Sequence, residues 1–145
     1  MSSPVLELPP AAAAASVPSA VAPAEAWALV SQGQALLVDV RTPEELAFVG
    51  RVPGALNVAW ASGTQLTRNP RFVREFEAKV PDHSRRVLLL CRSGKRSALA
   101  LEALRKAGYT QASNVAEGFE GELDAQQQRG RNDGWRFHGL PWQQN

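Results

Sequence analysis

Val87-Leu88-Leu89-Leu90-Cys91-Arg92-Ser93-Gly94-Lys95-Arg96-Ser97 is the stretch whose reading decides the fold. Consecutive apolar residues with no polar alternation suit a strand buried on both faces of a parallel sheet. Ser97 to Ala107 then reads as a helix, with Ala98, Leu101 and Leu104 facing inward and Gly108 as its stop. The same alternation extends to both sides. Upstream, Ala35 to Val40 is another apolar run, broken by Asp39 alone. Thr42 caps a short helix through about Phe48, with Pro43 at its first position and Glu45 placed to complete a capping box. Val52-Pro53-Gly54-Ala55 turns the chain into a strand from Ala55 to Ala59. Asn69-Pro70 opens a helix with Phe72, Val73, Phe76 and Val80 on one face, and Pro81 ends it. Downstream, a short strand at Ala112 to Val115 runs into a Gly-rich turn at Gly118. Strands alternating with helices predict an α/β fold with a mainly parallel sheet, and right-handed crossovers place helices on both faces.

The first helix reads from Pro23 to Gln32, with Gly33 as its stop. Residues 1–22 are therefore expected to form a flexible Ala/Pro-rich tail, and residues 23–145 a single domain. The tail does not read as a signal peptide: no Lys or Arg precedes Arg41, and Pro4, Pro9 and Pro10 interrupt its apolar runs. No stretch approaches a membrane-spanning length of apolar residues. A net charge of +2 argues against a general nucleic-acid binder. One cysteine excludes an intramolecular disulfide, a Cys-x-x-Cys redox pair and a zinc cluster. His83, which reads as an exposed loop residue, and His138 have no ligand spacing, so neither a metal nor a cofactor is called for. A lone reduced thiol fits the cytoplasm.

The charge is unevenly placed. Between Arg85 and Lys106 stand seven basic residues and one acid, Glu102, and they surround the sole cysteine. The loop from Cys91 to Arg96 can curl so that successive backbone N–H groups converge, with Gly94 allowing the tight turn. Joined to the N-terminus of the following helix, it forms an anion cradle. Arg92, Ser93, Gly94, Lys95, Arg96 and Ser97 are the candidate substrate-binding residues. The helix N-terminus and the cations favour the thiolate over the thiol, which makes Cys91 the candidate catalytic nucleophile. In open parallel sheets ligands bind beyond the carboxyl ends of the strands, and Cys91 sits at one such end. Asp39 and Arg41 stand at the end of another as supporting residues. Asp39 is read mainly as ordering the backbone and Arg41 as pairing with Glu44 or Glu45.

At this point the chain resembles the rhodanese-like sulfurtransferases, over about Ala24 to Trp142. The resemblance rests on several segments in the same order: Leu37-Val38-Asp39-Val40-Arg41 with Glu44-Glu45, Gly50-Arg51-Val52-Pro53-Gly54-Ala55 with Asn57, the Cys91 loop, and Gly139-Leu140-Pro141. It implies a five-stranded parallel sheet flanked by helices. It also implies a single-domain enzyme that takes a sulfane sulfur from thiosulfate, or a related persulfide donor, onto Cys91 and passes it to cyanide or a thiol. A sulfur-accepting protein is a further candidate partner. The absence of a second cysteine requires an outside acceptor, hence a ping-pong scheme.

Two rivals remain at this stage. A cysteine phosphatase or arsenate reductase would use a similar cradle, but the phosphatase signature has Arg six positions after Cys, where this chain has Ser97. A non-catalytic binding or regulatory module generally lacks the cysteine that this chain keeps. The resemblance also departs in places. Arg51 stands where the family often has His, and the polar stretch Glu122 to Asp133 separates the Gly118 turn from Gly134-Trp135. That stretch reads either as a tolerated surface insertion or as a rim over the cysteine loop. Trp27, Trp135 and Trp142 read as packing anchors, and Trp60 as core or pocket wall.

Overall fold

The structure is a computed structural model, and it describes residues 17–63 and 65–144. In chain order the elements are β1 (Ala20–Val21), α1 (Pro23–Ser31), β2 (Leu36–Asp39), α2 (Pro43–Val49), β3 (Leu56–Asn57), β4 (Ala61–Ser62), β5 (Thr67–Arg68), α3 (Phe72–Lys79), β6 (Val87–Leu90), α4 (Lys95–Lys106) and β7 (Ala112–Val115). Five strands form one parallel sheet in the order β1-β7-β6-β2-β3, and β4 pairs with β5 as a small antiparallel hairpin.

Each strand contributes alternate side chains to the two faces, as its period of two dictates. Val38, Val40, Val87 and Leu89 face α3 and α4, meeting Phe72, Phe76, Ala100, Leu101, Leu104 and Tyr109. Leu37, Leu88 and Leu90 face the opposite layer, meeting Ala26 and Trp27 of α1, Val49 of α2, Phe119 and Trp135. The helices thus cover both sides of the sheet. Trp135 is fully buried and meets Trp27 edge to face at 6.1 Å. Trp60 is buried against Phe72, whereas Trp142 stays 40% exposed. No helix among the described residues is long and apolar enough to cross a membrane.

Several expectations are corrected. Folded structure begins before Pro23, because Ala20 and Val21 pair with Asn114 and Val115 as the edge strand β1. Two residues among Ala and Pro carry no periodicity, so the pairing could not be read locally. Residues 1–16 of the expected tail lie outside the described residues. The strand expected at Ala55 to Ala59 shortens to Leu56–Asn57, and the β4–β5 hairpin was not foreseen. Helix α4 starts at Lys95, two residues early, and its buried residues are Ser97, Ala100, Leu101 and Leu104, with Ala98 exposed. His83 lies in a loop with its side chain 41% exposed, as expected, and its ring also stacks on Tyr109 at 4.1 Å.

The two sides of α4 provide a test of this packing. Leu104 is fully buried and Leu99 is 53% exposed. Leu104→Ala is expected to lower stability by about 3 kcal/mol, and Leu99→Ala by less than about 0.5 kcal/mol. Urea unfolding midpoints check this, and similar losses from both would contradict the assigned facing.

Candidate active site

Strands β2 and β6 are adjacent at the centre of the sheet, and the chain leaves them in opposite directions, toward β3 and toward β7. Such a divergence opens a crevice beyond the carboxyl ends of the two strands. Arg41 and Thr42 follow β2, and Cys91 follows β6, so the crevice lies between these two loops.

Helix α4 has Gly94 as its N-cap, in the left-handed conformation at φ 102°. Glycine reaches that region without strain but has no side chain to satisfy the first N–H groups of the helix. The Cys91 sulfur takes that place. Gly94 N–H donates to Sγ at 3.1 Å and Ser97 N–H at 3.3 Å. Ser97 Oγ lies 3.3 Å from the same sulfur. Its single proton also has Asn114 Oδ1 as an acceptor, and Asn114 Nδ2 donates to Gly94 O at 3.4 Å. With the proton on Asn114, Ser97 Oγ faces a thiol as acceptor. Turned toward Sγ, it becomes a third donor to a thiolate. Cys91 itself is 1% exposed.

The turn after β7 holds the loop from behind. Phe119 N–H donates to Cys91 O at 2.7 Å, and Glu120 N–H donates to Arg92 O at 2.9 Å. A Cβ on Gly118 would lie 2.5 Å from the Arg92 carbonyl, so only glycine allows this approach.

Asp39 and Arg41 form a fully buried ion pair at 2.7 Å. Asp39 also accepts the Arg41 backbone N–H at 3.0 Å, consistent with a carboxylate that orders the backbone. Arg41 does not pair with Glu44 or Glu45, as the sequence suggested. Its Nη2 donates to Gly50 O at 2.8 Å, and its guanidinium lies 4.3 Å from the centroid of the Phe119 ring. Nη1 has no hydrogen-bond partner among the described residues. The pair therefore braces the turn that carries Phe119, two bonds of contact away from Cys91.

Glu45 instead receives Arg96, whose two terminal nitrogens each donate at 2.7 Å. Thr42 and Glu45 also complete the expected capping box. Burial alone would raise the Glu45 carboxyl, but the Arg96 and Thr42 hydrogen bonds overcome it and hold the group at about 2. Arg96 is thus a clamp between the two loops, while Arg92 and Lys95 extend into solvent and Ser93 is half-buried. A cavity of about 340 Å³ flanks the loop, lined by Thr42, Glu44, Glu45, Gly63, Leu66 and Arg92.

The polar stretch Glu122 to Asp133 folds on itself and on the preceding turn. Asp124 accepts from Gln126 and Gln128 N–H, Asp133 from Glu122 N–H, and Arg129 donates to Gly121 O. The wall of the cavity beside Arg92 comes from the β4–β5 turn instead. Arg51 exchanges backbone hydrogen bonds with Gln143 at 2.8 Å. Sequence reasoning missed Asn114 and Phe119. A polar residue inside the short strand Ala112–Val115 was the available signal for Asn114, because a polar group in a buried strand needs a partner.

Residues 22–124 match the pattern of the family described as Rhodanese-like domain. The chain is 34% identical over 103 residues to the human thiosulfate:glutathione sulfurtransferase, covering 69% of this chain and 89% of that protein. It is 35% identical over 116 residues to an uncharacterized protein of Rickettsia conorii, covering 79% and 88% respectively. A crystal structure from M. tuberculosis superposes with a TM-score of 0.76 at 41% identity, covering 90% of this chain and all of that one.

Two measurements test the braces. Arg41→Met leaves the Asp39 carboxylate buried without its cationic partner and is expected to cost about 3–5 kcal/mol. Asp39→Leu combined with Arg41→Met should recover much of that loss in denaturant titrations. Glu45 is depressed in the folded state from its ordinary 4.5 to about 2. Its contribution is therefore fully present above about 4.5 and is lost as pH falls toward 2. Glu45→Gln should be less stable than the parent at neutral pH, with the gap closing across that acid window.

Proposed function

This chain belongs to the rhodanese-like domain family, and on that basis we propose that it is a sulfurtransferase in which Cys91 carries a sulfane sulfur from a small anionic donor to an outside acceptor. The observation that carries the reading is the Cys91 sulfur itself, which accepts two backbone N–H groups at the N-terminus of α4. Positive ends of peptide dipoles favour an oxyanion close by.

With thiosulfate as donor, the Cys91 thiolate attacks the outer sulfur. The Sγ–S bond forms while the donor S–S bond breaks, and the electron pair leaves with sulfite. Sulfite is a stable leaving group, so no general acid is needed. The work left to the protein is electrostatic, placed where charge develops on the departing group. The exposed cations Arg92 and Lys95 and the N–H groups of the loop are suited to it. The acceptor, cyanide or a thiol, then attacks the outer sulfur of the Cys91 persulfide and releases the Cys91 thiolate. One cysteine in the chain makes that acceptor a separate molecule. The human relative named for thiosulfate and glutathione supports this choice of donor and acceptor classes. A lone reduced thiol supports action in a reducing compartment such as the cytoplasm.

Phosphatase chemistry is less well served. Ser97 occupies the position of the phosphatase arginine, and the neighbouring Arg96 is held by Glu45. Mass spectrometry after thiosulfate treatment should show one added sulfur atom on Cys91. Cys91→Ser should lose transfer to cyanide by on the order of 10³-fold or more. A Cys91→Ser protein that still turned over thiosulfate would overturn the reading.

A further inference from the structure

The cavity beside the loop is larger and chemically more varied than a small inorganic anion requires. At about 340 Å³ it lies within the range of sites for small organic molecules. Its lining brings together the exposed carboxylate of Glu44 and the guanidinium of Arg92, with Thr42 and the apolar Leu66. Glu45 also borders it, but Arg96 occupies both of its oxygens. Among the described residues, neither Glu44 nor Arg92 makes a side-chain hydrogen bond or ion pair, and both are exposed. Leu66 is held at φ 53°, a backbone conformation that leucine rarely adopts, and it remains 41% exposed. Strained, exposed residues of this kind gather at ligand clamps.

A dianion such as thiosulfate would be drawn to Arg92 and repelled by Glu44. A molecule carrying both an ammonium and a carboxylate satisfies both. We infer that the Thr42–Glu44–Leu66–Arg92 cavity binds the sulfur acceptor, and that it selects a zwitterionic thiol of the amino-acid type. Glu44 receives the ammonium, Arg92 receives the carboxylate, and Leu66 covers the carbon chain. Because Arg92 directly follows Cys91, a ligand seated on it stays beside the loop. This assignment rests on the sulfurtransferase reading. The acceptor thiolate attacks the outer sulfur of the Cys91 persulfide, forming a new S–S bond as the Sγ–S bond breaks. The outer sulfur, left anionic when sulfite departs, first takes a proton from solvent; the products are then the acceptor persulfide, which keeps that proton, and the Cys91 thiolate.

The test compares cysteine with 3-mercaptopropionate, which lacks the ammonium, and cysteamine, which lacks the carboxylate. In a ping-pong scheme kcat/KM for the acceptor is independent of the donor step, and variant-to-parent ratios cancel differences in thiol reactivity. Glu44→Gln is expected to lower the cysteine over 3-mercaptopropionate ratio about tenfold, the scale of one hydrogen bond to a charged group. Glu44→Asp should restore part of it, and Arg92→Gln should lower the cysteine over cysteamine ratio instead. Ratios that stay at the parent value in a protein whose Cys91 loads with sulfur would overturn the assignment. A binding readout separates this from failure of the enzymatic reading. In NMR titrations of the parent protein, S-methylcysteine should bind more tightly than 3-(methylthio)propionate. That preference in a protein whose Cys91 never loads would leave the cavity assigned and the sulfurtransferase reading wrong. Its absence would remove the cavity assignment.

Discussion

Asp39 and Arg41 place a carboxylate and a guanidinium in the interior with no exposure to solvent, at the end of a central strand. Removing either charge from water is costly, and the pair persists because almost every polar atom is answered locally. The carboxylate takes the Arg41 backbone and side chain, and the guanidinium takes Gly50 O and the face of Phe119. Through Gly50 the pair sets the return from α2, and through Phe119 it sets the turn after β7. The Phe119 N–H then holds the carbonyl of Cys91. A single buried ion pair in this way links three loops that otherwise share no sequence neighbourhood.

The cysteine loop depends on that support because it lacks an ordinary helix cap. Gly94 can turn the chain into α4 but offers no side-chain acceptor, so the first N–H groups of the helix converge on sulfur. The same feature serves structure and chemistry. A sulfur that caps a helix lies at the positive end of that helix, where an anion is favoured. Ser97 and Asn114 add a hydroxyl whose proton can face either way, giving the site a means to follow the charge on the sulfur.

Charge is divided rather than pooled around the loop. The three cations of the cysteine loop separate in space into Arg96, which clamps α2 to α4 through Glu45, and the exposed Arg92 and Lys95. Neither Arg92 nor Lys95 makes a side-chain hydrogen bond or ion pair among the described residues. The cavity beside Arg92 then takes its character from Glu44 and Leu66, residues that the cluster alone would not bring to mind.

The sequence by itself determined the class of fold and singled out Cys91 as the candidate nucleophile. Continuous apolar runs at Leu36–Val38 and Val87–Leu90 suit a strand buried on both faces, and the Thr42–Glu45 capping box is local chemistry that forms wherever the helix does. A cysteine between such a strand and a glycine-containing cationic loop was legible for the same reason. Tertiary structure alone decided the pairings. Arg41 pairs with Asp39 rather than with Glu44 or Glu45 because both charges are fully buried at the end of β2. Glu45 found Arg96 across 51 positions of chain because β2 and β6 are neighbours in the sheet. Ala20 and Val21 became a strand only because β7 presented an edge. Local propensity carries no information about such partners, whereas burial of a charge or an unpaired strand edge demands one, and the fold decides which residue is within reach.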